Sequence, residues 1–328
     1  MQIKDIAQMA GVAPSTVSRV INHSGYVSTP VRYRVEAILK ETGYVPNSIA
    51  KSLKSKKSNM IGLIIPQASN EAMTQMIDGV TSECNQAGYQ TVLANTELNP
   101  EKELEYLKEL PNKRVDGLIF YATHMTRAHH KLLSSLDMPV VVLGQVEETC
   151  HCVVHDDFAA AKELTQLLIE KGYRKIGFIN VDRKDDAVRR ERYKGYKSAV
   201  MEAGLVCDDR WLAYGDYSIK SGVQAMKYIW TMQEEKPDAV LAVTDYMAAG
   251  AIVYLRQIGL SVPEDCAVAG IGNDVLSGFV NPPLTTVEYH HNRAGRTAAR
   301  VLFRQLGSRP APVKVHVVPH KLIERSST

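Results

Sequence analysis

Two groups of polar side chains in the 328-residue chain have types and spacings that could carry function. The first group lies near the N-terminus, where residues 14–22 read Pro-Ser-Thr-Val-Ser-Arg-Val-Ile-Asn. Val17, Val20 and Ile21 have i, i+3, i+4 spacing and therefore predict one apolar helix face. The opposite face carries hydroxyls, an amide and an arginine, namely Ser15, Thr16, Ser18, Arg19 and Asn22. Such groups bind phosphates and base edges, so this pattern predicts a helix that reads DNA.

The second group consists of polar residues that follow predicted strands beyond residue 59. Ligands of parallel sheets bind at the carboxyl ends of the strands. Carboxylates, amides, one arginine and an aromatic ring suit a polyol, since polar groups bond its hydroxyls and a ring packs on its C–H surface. The candidates are Gln67, Gln145, Asp156, Asp157, Arg192, Tyr217, Thr244, Asp245, Asn273 and Asp274. Asp and Asn also end strands for turn geometry, so both origins remain open from residue types alone.

The strands that must position this second group alternate with helical patterns of about 12 to 18 residues. The apolar runs are 61–65, 91–94, 117–121, 140–143, 175–179, 239–243 and 267–271, with a further strand near His151. Alternation of this kind predicts an α/β fold in which βα units build parallel sheets with covered faces. About 270 residues exceed one comfortable core, so we expect two lobes.

The first group belongs to a predicted head of three short helices. Ile3, Ile6 and Met9 have helical spacing, the second helix covers residues 14–22, and the third covers residues 29–42. A short turn at Gly11 between the first two helices predicts a helix-turn-helix. Residues 1–59 carry nine Lys or Arg and three Asp or Glu, a net charge of +6, whereas the remainder carries −3. A three-helix bundle with a solvated basic face is the alternative.

Composition excludes several classes of protein. With 45% apolar and 23% charged residues, the chain is close to the average for soluble globular proteins. No apolar run approaches the roughly 18 residues that a membrane span needs, and the N-terminus lacks a signal-peptide pattern, so we expect a cytoplasmic protein. Five cysteines form an odd and sparse set, for which reduced thiols are expected.

Two other clusters could suggest metal binding or catalysis. Cys150-His151-Cys152 with His155 lacks the second ligand pair of a zinc site, so strand packing explains it and no metal or cofactor is predicted. Asp156 and Asp157 are adjacent, so on a strand they would point to opposite faces and could not flank one glycosidic bond. No nucleophile elbow, P-loop or dinucleotide motif occurs, and we predict that the chain is not an enzyme.

A series of linked motifs resembles the LacI family of bacterial transcription regulators. The motifs are Ile3-Lys4-Asp5-Ile6-Ala7, Ala10-Gly11-Val12, residues 15–22, and Gly43-Tyr44-Val45-Pro46-Asn47 followed by Ala50 and Leu53. The resemblance continues along essentially the whole chain. It implies a DNA-binding head at 1–47, a hinge helix and linker at 48–58, and a core at 59–328 that is similar to periplasmic binding proteins. Lobe 1 would comprise about 59–156 plus 288–318, and lobe 2 about 157–287 plus 319–328.

The resemblance also assigns DNA contacts. Pro14 and Ser15 match positions that vary with operator sequence, and Arg19 matches a base-contacting arginine; Pro14 has no side-chain donor, so Ser15 and Arg19 would carry most of the readout. Leu53 would wedge into the minor groove from a hinge that forms on DNA. The expected contacts are Pro14, Ser15, Thr16, Ser18, Arg19, Asn22, Tyr44, Asn47, Ala50 and Leu53. A homodimer would bind a pseudo-palindromic operator, and no leucine-heptad tail follows Ile323 to favour a tetramer.

For the core, the resemblance implies a repressor that senses a small sugar in the cleft between lobes. The expected contacts are Gln67, Gln145, Asp157, Arg192, Tyr217, Thr244, Asp245 and Asn273. Thr244 replaces a common Asn, and Gly272 replaces a common carboxylate for which Asn273 or Asp274 could substitute. These departures are most similar to trehalose- or sucrose-type repressors.

Neutral amides at Gln67 and Gln145 favour a neutral disaccharide, because phosphate is gripped best by arginine. Lys184 or Arg189 could still reach in, so a sugar phosphate stays an alternative. A corepressor role for the ligand is a second alternative.

Overall fold

The computed structural model describes residues 2–44, 57–182, 185–232, 234–307 and 312–328. The chain divides into two compact units, Met1–Ser58 and Asn59–Thr328. Residues 45–56, which include most of the predicted hinge, lie outside the described part of the chain.

The first unit contains three helices, α1 (Ile3–Ala10), α2 (Pro14–Ile21) and α3 (Thr29–Thr42). Their apolar faces meet in one small core that is formed by Ile6, Ala7, Ala10, Val17, Val20 and Val35. Pro14 occupies the first turn of α2, where a missing backbone N–H costs nothing. Arg34 Nη1 donates a hydrogen bond of 3.3 Å to the Ala10 carbonyl, so α3 also closes the end of α1. The predicted three-helix head is confirmed.

The second unit contains two six-stranded sheets. The first sheet has the order β11-β5-β4-β3-β1-β2, all parallel, with β1 Met60–Ile65, β2 Gln90–Asn95, β3 Gly117–Tyr121, β4 Val140–Leu143, β5 His151–His155 and β11 Val315–Val318. The second has the order β12-β10-β9-β8-β6-β7, with β6 Ile176–Val181, β7 Leu212–Gly215, β8 Ala239–Ala242, β9 Ala267–Gly272, β10 Thr285–Tyr289 and β12 His320–Ile323. Only β12 pairs antiparallel in the described sheets. The predicted α/β architecture is confirmed.

Helices cover both sheets. They are α4 (Glu71–Gln86), α5 (Pro100–Asn112), α6 (Arg127–Ser135), α7 (Asp157–Glu170), α8 (Arg192–Glu202), α9 (Ile219–Thr231), α10 (Asp245–Gln257), α11 (Val275–Phe279) and α12 (His291–Gly307). A π-helix at Asp186–Glu191 precedes α8, and a short 3-10 helix at Asp209–Trp211 precedes β7. Within the described residues, no helix has the length and apolar character that a membrane span requires.

Each sheet with its helices forms one lobe, and the chain passes between the lobes three times. The passages follow β5, β10 and β11. Glu288 and Tyr289 lie on β10 in the second sheet, two residues beyond the position where we expected lobe 1 to resume. All three passages place the carboxyl ends of parallel strands along one cleft, which is where such sheets bind ligands.

Two glycines fix α4 in the first lobe. A Cβ on Gly79 would lie 2.2 Å from the Asn292 carbonyl oxygen, and a Cβ on Gly295 would lie 2.2 Å from the Met76 carbonyl oxygen. No side chain fits at either position, so α4 and α12 pack backbone against backbone. The N-terminal end of α4, at Glu71, is thereby held in place beside the cleft.

Candidate functional site

The polar face of α2 is presented to solvent as its periodicity predicts. Ser15, Arg19 and Asn22 are exposed, whereas Val17 and Val20 are buried in the core of the head. Pro14 is also exposed, and Thr16 and Ser18 are half-buried. The surface therefore combines hydroxyls, an amide and one guanidinium on a helix stabilised from behind by its apolar face.

Two contacts restrict these side chains. The aliphatic part of Arg19 lies against Gly25, where a Cβ would be 3.5 Å from Arg19 Cδ. Asn22 Nδ2 donates to the Ser18 carbonyl at 2.8 Å and to Ser18 Oγ at 3.2 Å, so these two residues bond to each other. Arg19 and Ser15 are the exposed groups of this face that have no such local bond among the described residues.

The other predicted DNA contacts differ in placement. Tyr44 is half-buried and packs against the core of the head. Asn47, Ala50 and Leu53 lie outside the described residues. Tyr26, in the loop between α2 and α3, is 88% exposed and was not predicted as a candidate. An aromatic residue within the Ser-Gly-rich loop 22–28 was the signal that could have indicated it.

A cavity of about 590 Å³ lies between the two lobes of the core. Four of the eight predicted effector residues line it: Gln67, Arg192, Tyr217 and Thr244. The other described lining residues that bear polar groups are Ser69, Asn70, Tyr121, Thr123, Asp185, Asp216, Ser218, Tyr246, Asp274, Tyr289 and His291. Both lobes contribute, so any molecule held there contacts both.

Arg192 is buried and already paired. Its Nε donates to Asp157 Oδ1 at 2.7 Å, its Nη1 donates to the Val243 carbonyl, and its guanidinium lies 5.2 Å from the centre of the Tyr289 ring. Nη2 has no hydrogen-bond partner among the described residues. Arg192 is the only Lys or Arg among the described residues that line this cavity. The cavity therefore has one cation, neutralised by Asp157, with one donor nitrogen left for a ligand.

Gln145 and Asp157 line a different space. Both border a second cavity of about 440 Å³. Gln145 Nε2 donates to the Thr123 carbonyl at 2.9 Å. Asp157 Oδ1 accepts from Arg192 Nε and, at 2.9 Å, from the Tyr289 hydroxyl. Asp157 therefore holds Arg192, which lines the larger cavity, while it borders the second cavity itself.

Asp245 and Asn273 lie behind the wall of the larger cavity. Asp245 is fully buried; its carboxylate accepts from Thr286 Oγ1 at 2.5 Å and from the Asp274 N–H at 2.9 Å. Burial raises the pKa of Asp245 to about 7. Asn273 Oδ1 accepts from Arg325 Nη2 at 2.7 Å and from Ser277 Oγ at 3.2 Å. Both residues hold the loop that follows β9.

The carboxylate of that loop that reaches the cavity is Asp274. Its pKa is raised to about 6, first by burial and second by the Glu71 carboxylate. Gly272 has a φ of 149°, which side chains rarely adopt, and a Cβ there would lie 3.0 Å from Asp274 Oδ2. A side chain is therefore strained at position 272 in this loop conformation. Of the two candidates that the sequence offered as substitutes, Asp274 lines the cavity.

Asp185 is a cavity residue that the sequence analysis missed. Its Oδ2 accepts from the Tyr217 hydroxyl at 3.0 Å and its Oδ1 accepts from the Val188 N–H at 3.1 Å. Burial raises the pKa of Asp185 to about 6. The surrounding sequence, residues 182–192, is mostly charged and is typical of a solvated loop, so the signal was hidden.

Tyr217 has an unusual backbone conformation. Its φ of 76° lies in the left-handed region, which is strained for a bulky side chain, and strain of this kind clusters at functional sites. The bond from its hydroxyl to Asp185 fixes the ring at the cavity wall. An aromatic ring held in this way can pack on the C–H surface of a sugar.

The described residues contain no group of three or more His, Cys, Asp or Glu that could hold a metal ion. Cys152 lies on β5 and Cys150 directly precedes that strand, and both are buried. The Cys152 sulfur bonds to the backbone of Glu147. These two residues belong to the apolar core of the first lobe.

Comparisons with known proteins decide the family. Residues 2–47 match the family described as bacterial regulatory proteins, lacI family, and residues 165–328 match the periplasmic binding protein-like domain. Catabolite control protein A of Priestia megaterium is 34% identical over 99% of this chain and 98% of its own length. The chain belongs to the LacI family. Its resemblance to that family is thereby confirmed.

This LacI-family chain is a DNA-binding transcriptional regulator with a periplasmic-binding-protein-like core. The repressor PurR of Vibrio atlanticus (strain LGP32) is 33% identical over 99% of the chain and 98% of its own length. A solved structure of the regulator CelR in complex with cellobiose is 30% identical, covers all of both chains and gives a TM-score of 0.76. These relatives are described as regulators, not as enzymes.

Proposed function

We propose that this regulator is a repressor of a carbohydrate-utilisation operon that is released from its operator by a neutral disaccharide of trehalose or sucrose type. It would bind as a homodimer to a pseudo-palindromic operator, with one head in each of two successive major grooves. The observation that carries the effector class is the cavity between the lobes, in which Arg192 is neutralised by Asp157 while Asp185 and Asp274 offer hydrogen-bond acceptors.

The head, residues 1–47, would read the operator through α2. Ser15 and Arg19 have the exposure and chemistry for base contacts, and Thr16, Ser18 and Asn22 would bond phosphates or sugars. The linker, residues 48–58, would form a hinge helix on DNA with Leu53 in the minor groove, and Tyr44, Asn47 and Ala50 would contact the backbone. The support is the family to which the chain belongs and the exposed polar face of α2.

The cleft would hold the sugar by its hydroxyls and by one ring face. Gln67, Thr244 and Arg192 Nη2 are donors at the cavity, Asp185 and Asp274 are acceptors, and Tyr217 supplies an aromatic surface. A volume of about 590 Å³ is within the range of roughly 300 to 1,000 Å³ that small-molecule sites occupy. Polar groups that line the cavity from both lobes can fix the orientation of a polyol through its hydroxyls.

Charge favours a neutral effector over a sugar phosphate. A phosphate would need cations that are not already paired, and bidentate contact with arginine is its best partner. Arg192 instead donates from Nε to Asp157 and from Nη1 to the Val243 carbonyl, and three carboxyl groups, those of Asp185, Asp216 and Asp274, border the same cavity. At an effective dielectric constant of about 20, two like charges about 4 Å apart repel by about 4 kcal/mol. Lys184, which could alter this balance, lies outside the described residues.

Two observations support a disaccharide of the trehalose or sucrose type. The CelR relative is described in complex with cellobiose, itself a disaccharide. Thr244 and the Gly272-Asn273-Asp274 sequence depart from the common family pattern in the direction of trehalose and sucrose repressors. Sugar that favours one lobe arrangement would change the spacing of the two hinges, and by linkage operator binding would weaken sugar binding to the same degree.

A corepressor is the second candidate, because relatives at 33% identity are named PurR. In that case a ligand would strengthen operator binding, and Tyr217 would stack on a planar base. The sign of the effect on operator affinity separates the two candidates.

A thermal-shift screen tests the proposal. The full chain is melted with trehalose, sucrose, maltose, their phosphates and purine bases, and the best ligand is then added to an operator-binding assay. We expect stabilisation by a neutral disaccharide, loss of that stabilisation in Tyr217→Ala, and release of the operator. Stabilisation by phosphates or purines alone, or tighter operator binding, would contradict the proposal.

A further inference from the structure

A hydrogen bond crosses between the lobes beside the larger cavity. Glu71 is the first residue of α4 in the first lobe, and its Oε2 accepts from the backbone N–H of Val275, the first residue of α11 in the second lobe, at 2.8 Å. Asn70, Ala72 and Asp274, which flank the two bonded residues in sequence, line the cavity. The bond therefore lies at the edge of the space where the effector is proposed to sit.

The first-lobe end of this bond is rigidly supported. Glu71 Oε1 accepts from Gln75 Nε2 at 3.1 Å, which fixes the carboxylate on its own helix. Helix α4 is in turn held against α12 by the backbone contacts at Gly79 and Gly295. A carboxylate with both oxygens bonded on a fixed helix has little freedom to lose when it binds Val275.

The second-lobe end is supported as well. The Asp274 N–H donates to the buried Asp245 carboxylate, which also accepts from Thr286 Oγ1. Asn273 Oδ1 is held by Arg325 Nη2 at 2.7 Å. Residues of lobe 2 therefore hold the loop from 272 to 275 in place, and the Val275 N–H of this loop faces the first lobe.

Asp274 couples this bond to the cavity. Its carboxyl group borders the cavity, and the Glu71 carboxylate is the nearby charge that opposes its ionisation after burial. A sugar that bonds Asp274 of the second lobe and Gln67 or Asn70 of the first lobe at the same time would favour the arrangement in which the lobes approach, and in that arrangement Glu71 Oε2 bonds Val275. Occupancy of the cavity and the bond across the lobes then favour each other.

We propose that Glu71 is a positioning residue that holds the cleft closed through its hydrogen bond to Val275, and that a sugar in contact with both lobes of the cavity strengthens this closure. The coupling to sugar rests on the proposed function; the bond between the lobes does not. The regulator then carries its own closing contact, with one carboxylate from each lobe at the edge of the site.

Hydrogen–deuterium exchange of the full chain tests the contact without any ligand. In Glu71→Ala the peptide that contains Val275 should exchange about tenfold faster or more, because a hydrogen bond to a charged group is lost. In Glu71→Gln the amide oxygen still accepts, so exchange should stay closer to that of the native chain. Glu101→Ala is the matched control, since Glu101 lies in the first turn of α5 in the same lobe and should leave the peptide unchanged.

Calorimetric titration with trehalose provides the second readout. Glu71→Ala should weaken trehalose binding by about tenfold, and Glu71→Gln should not, because it removes the repulsion of Asp274 while keeping the acceptor. Equal exchange at Val275 in all variants would overturn the proposal. Faster exchange in Glu71→Ala together with no trehalose binding by the native chain would support the contact and count against the neutral-sugar function.

Discussion

The polar side chains of the head and those of the cleft differ in whether they are already hydrogen-bonded within the protein before a ligand binds. On α2, Ser15 and Arg19 point into solvent and have no bond to each other or to the rest of the head among the described residues. In the cleft, Arg192 is bonded to Asp157 and Tyr217 is bonded to Asp185 before any ligand arrives. The head is a surface that gains its partners from DNA, whereas the cleft is a network that a ligand must enter.

This difference predicts different consequences of mutation. Removing an exposed side chain of α2 should change recognition and leave stability nearly unaltered. Removing a member of the cleft network leaves a buried polar partner without its bond, so stability and recognition should fall together.

Arg192→Met has the largest expected effect. It leaves the Val243 carbonyl without its side-chain donor and the buried Asp157 carboxylate without its cation, with the Tyr289 hydroxyl as its remaining side-chain donor, so we expect a loss of about 3 to 5 kcal/mol in the free energy of unfolding. Binding of the effector should be abolished at the same time. Urea unfolding and calorimetric titration measure the two losses.

The control for this variant is Arg190→Met. Arg190 is 57% exposed and pairs with Asp186 and Glu191 at the surface, so its loss should cost less than about 1 kcal/mol. The double variant Asp157→Asn, Arg192→Met should recover part of the stability without recovering effector binding. Equal stability of the Arg192 and Arg190 variants would show that the cleft network does not behave as a buried ion pair.

The buried carboxyl group of Asp245 makes the core sensitive to pH. Its pKa in the folded chain, about 7, is above the ordinary value of 3.8, so the folded state binds the proton more tightly than the unfolded state. This contribution to stability is complete below about pH 4 and is lost as the pH rises through about 7. The loss amounts to roughly 4 kcal/mol at most, at 1.36 kcal/mol for each pKa unit.

The free energy of unfolding of the native chain and of Asp245→Asn, measured between pH 4 and pH 8, checks this pH dependence. The free energy of unfolding of the native chain should fall relative to that of the variant over this range, because the variant cannot ionise. Asp137→Asn is the control, since Asp137 is exposed on a loop and should give a curve parallel to the native one. Parallel curves for Asp245→Asn would mean that Asp245 is not a buried acid.

Arg19→Ala should lower operator affinity by about 1 to 3 kcal/mol and relax specificity, while the free energy of unfolding changes by less than about 0.5 kcal/mol. Fluorescence anisotropy with operator and with random DNA measures the discrimination. Lys40→Ala removes the same charge from α3 and should weaken both complexes to a similar degree. Unchanged discrimination by Arg19→Ala would remove Arg19 from the readout.

Ser18→Ala has the smallest expected effect on recognition. Ser18 Oγ accepts only from Asn22 among the described residues, so its loss should cost about 0.5 to 1.5 kcal/mol of stability and less affinity than Arg19→Ala. Urea unfolding measures the loss of stability, and fluorescence anisotropy with operator DNA measures the loss of affinity. A loss of affinity larger than that of Arg19→Ala would show that Ser18 contacts DNA directly.

The same contrast explains what could be predicted from the sequence. Val17 and Val20 repeat with the period of a helix, so the exposed face of α2 follows directly from local pattern. The strand Met60–Ile65 is apolar throughout, so it too could be predicted from a local run of residues. Strands such as Thr285–Tyr289 and His320–Ile323 could not be, because they carry polar residues whose burial depends on neighbours elsewhere in the chain.

The cleft could be predicted only in part. Strand ends indicated Gln67, Arg192, Tyr217 and Thr244, which do line the larger cavity. Asp245 and Asn273 also follow strands, but they do not line the cavity. Thr286 bonds to Asp245 and Arg325 bonds to Asn273. Asp185 lies in a mostly charged segment, residues 182–192, whose composition is typical of a solvent-exposed loop. The partners that decide each case are distant in sequence, and no local pattern contains them.

The measurement that most directly tests the account is operator affinity of the full chain with and without saturating neutral disaccharide, using trehalose and sucrose in turn. We predict that at least one of them lowers the affinity, and that Arg192→Met keeps operator binding but loses the response. Release by a phosphorylated sugar alone, or tighter binding in the presence of a purine, would contradict the assignment of a neutral sugar to the cleft.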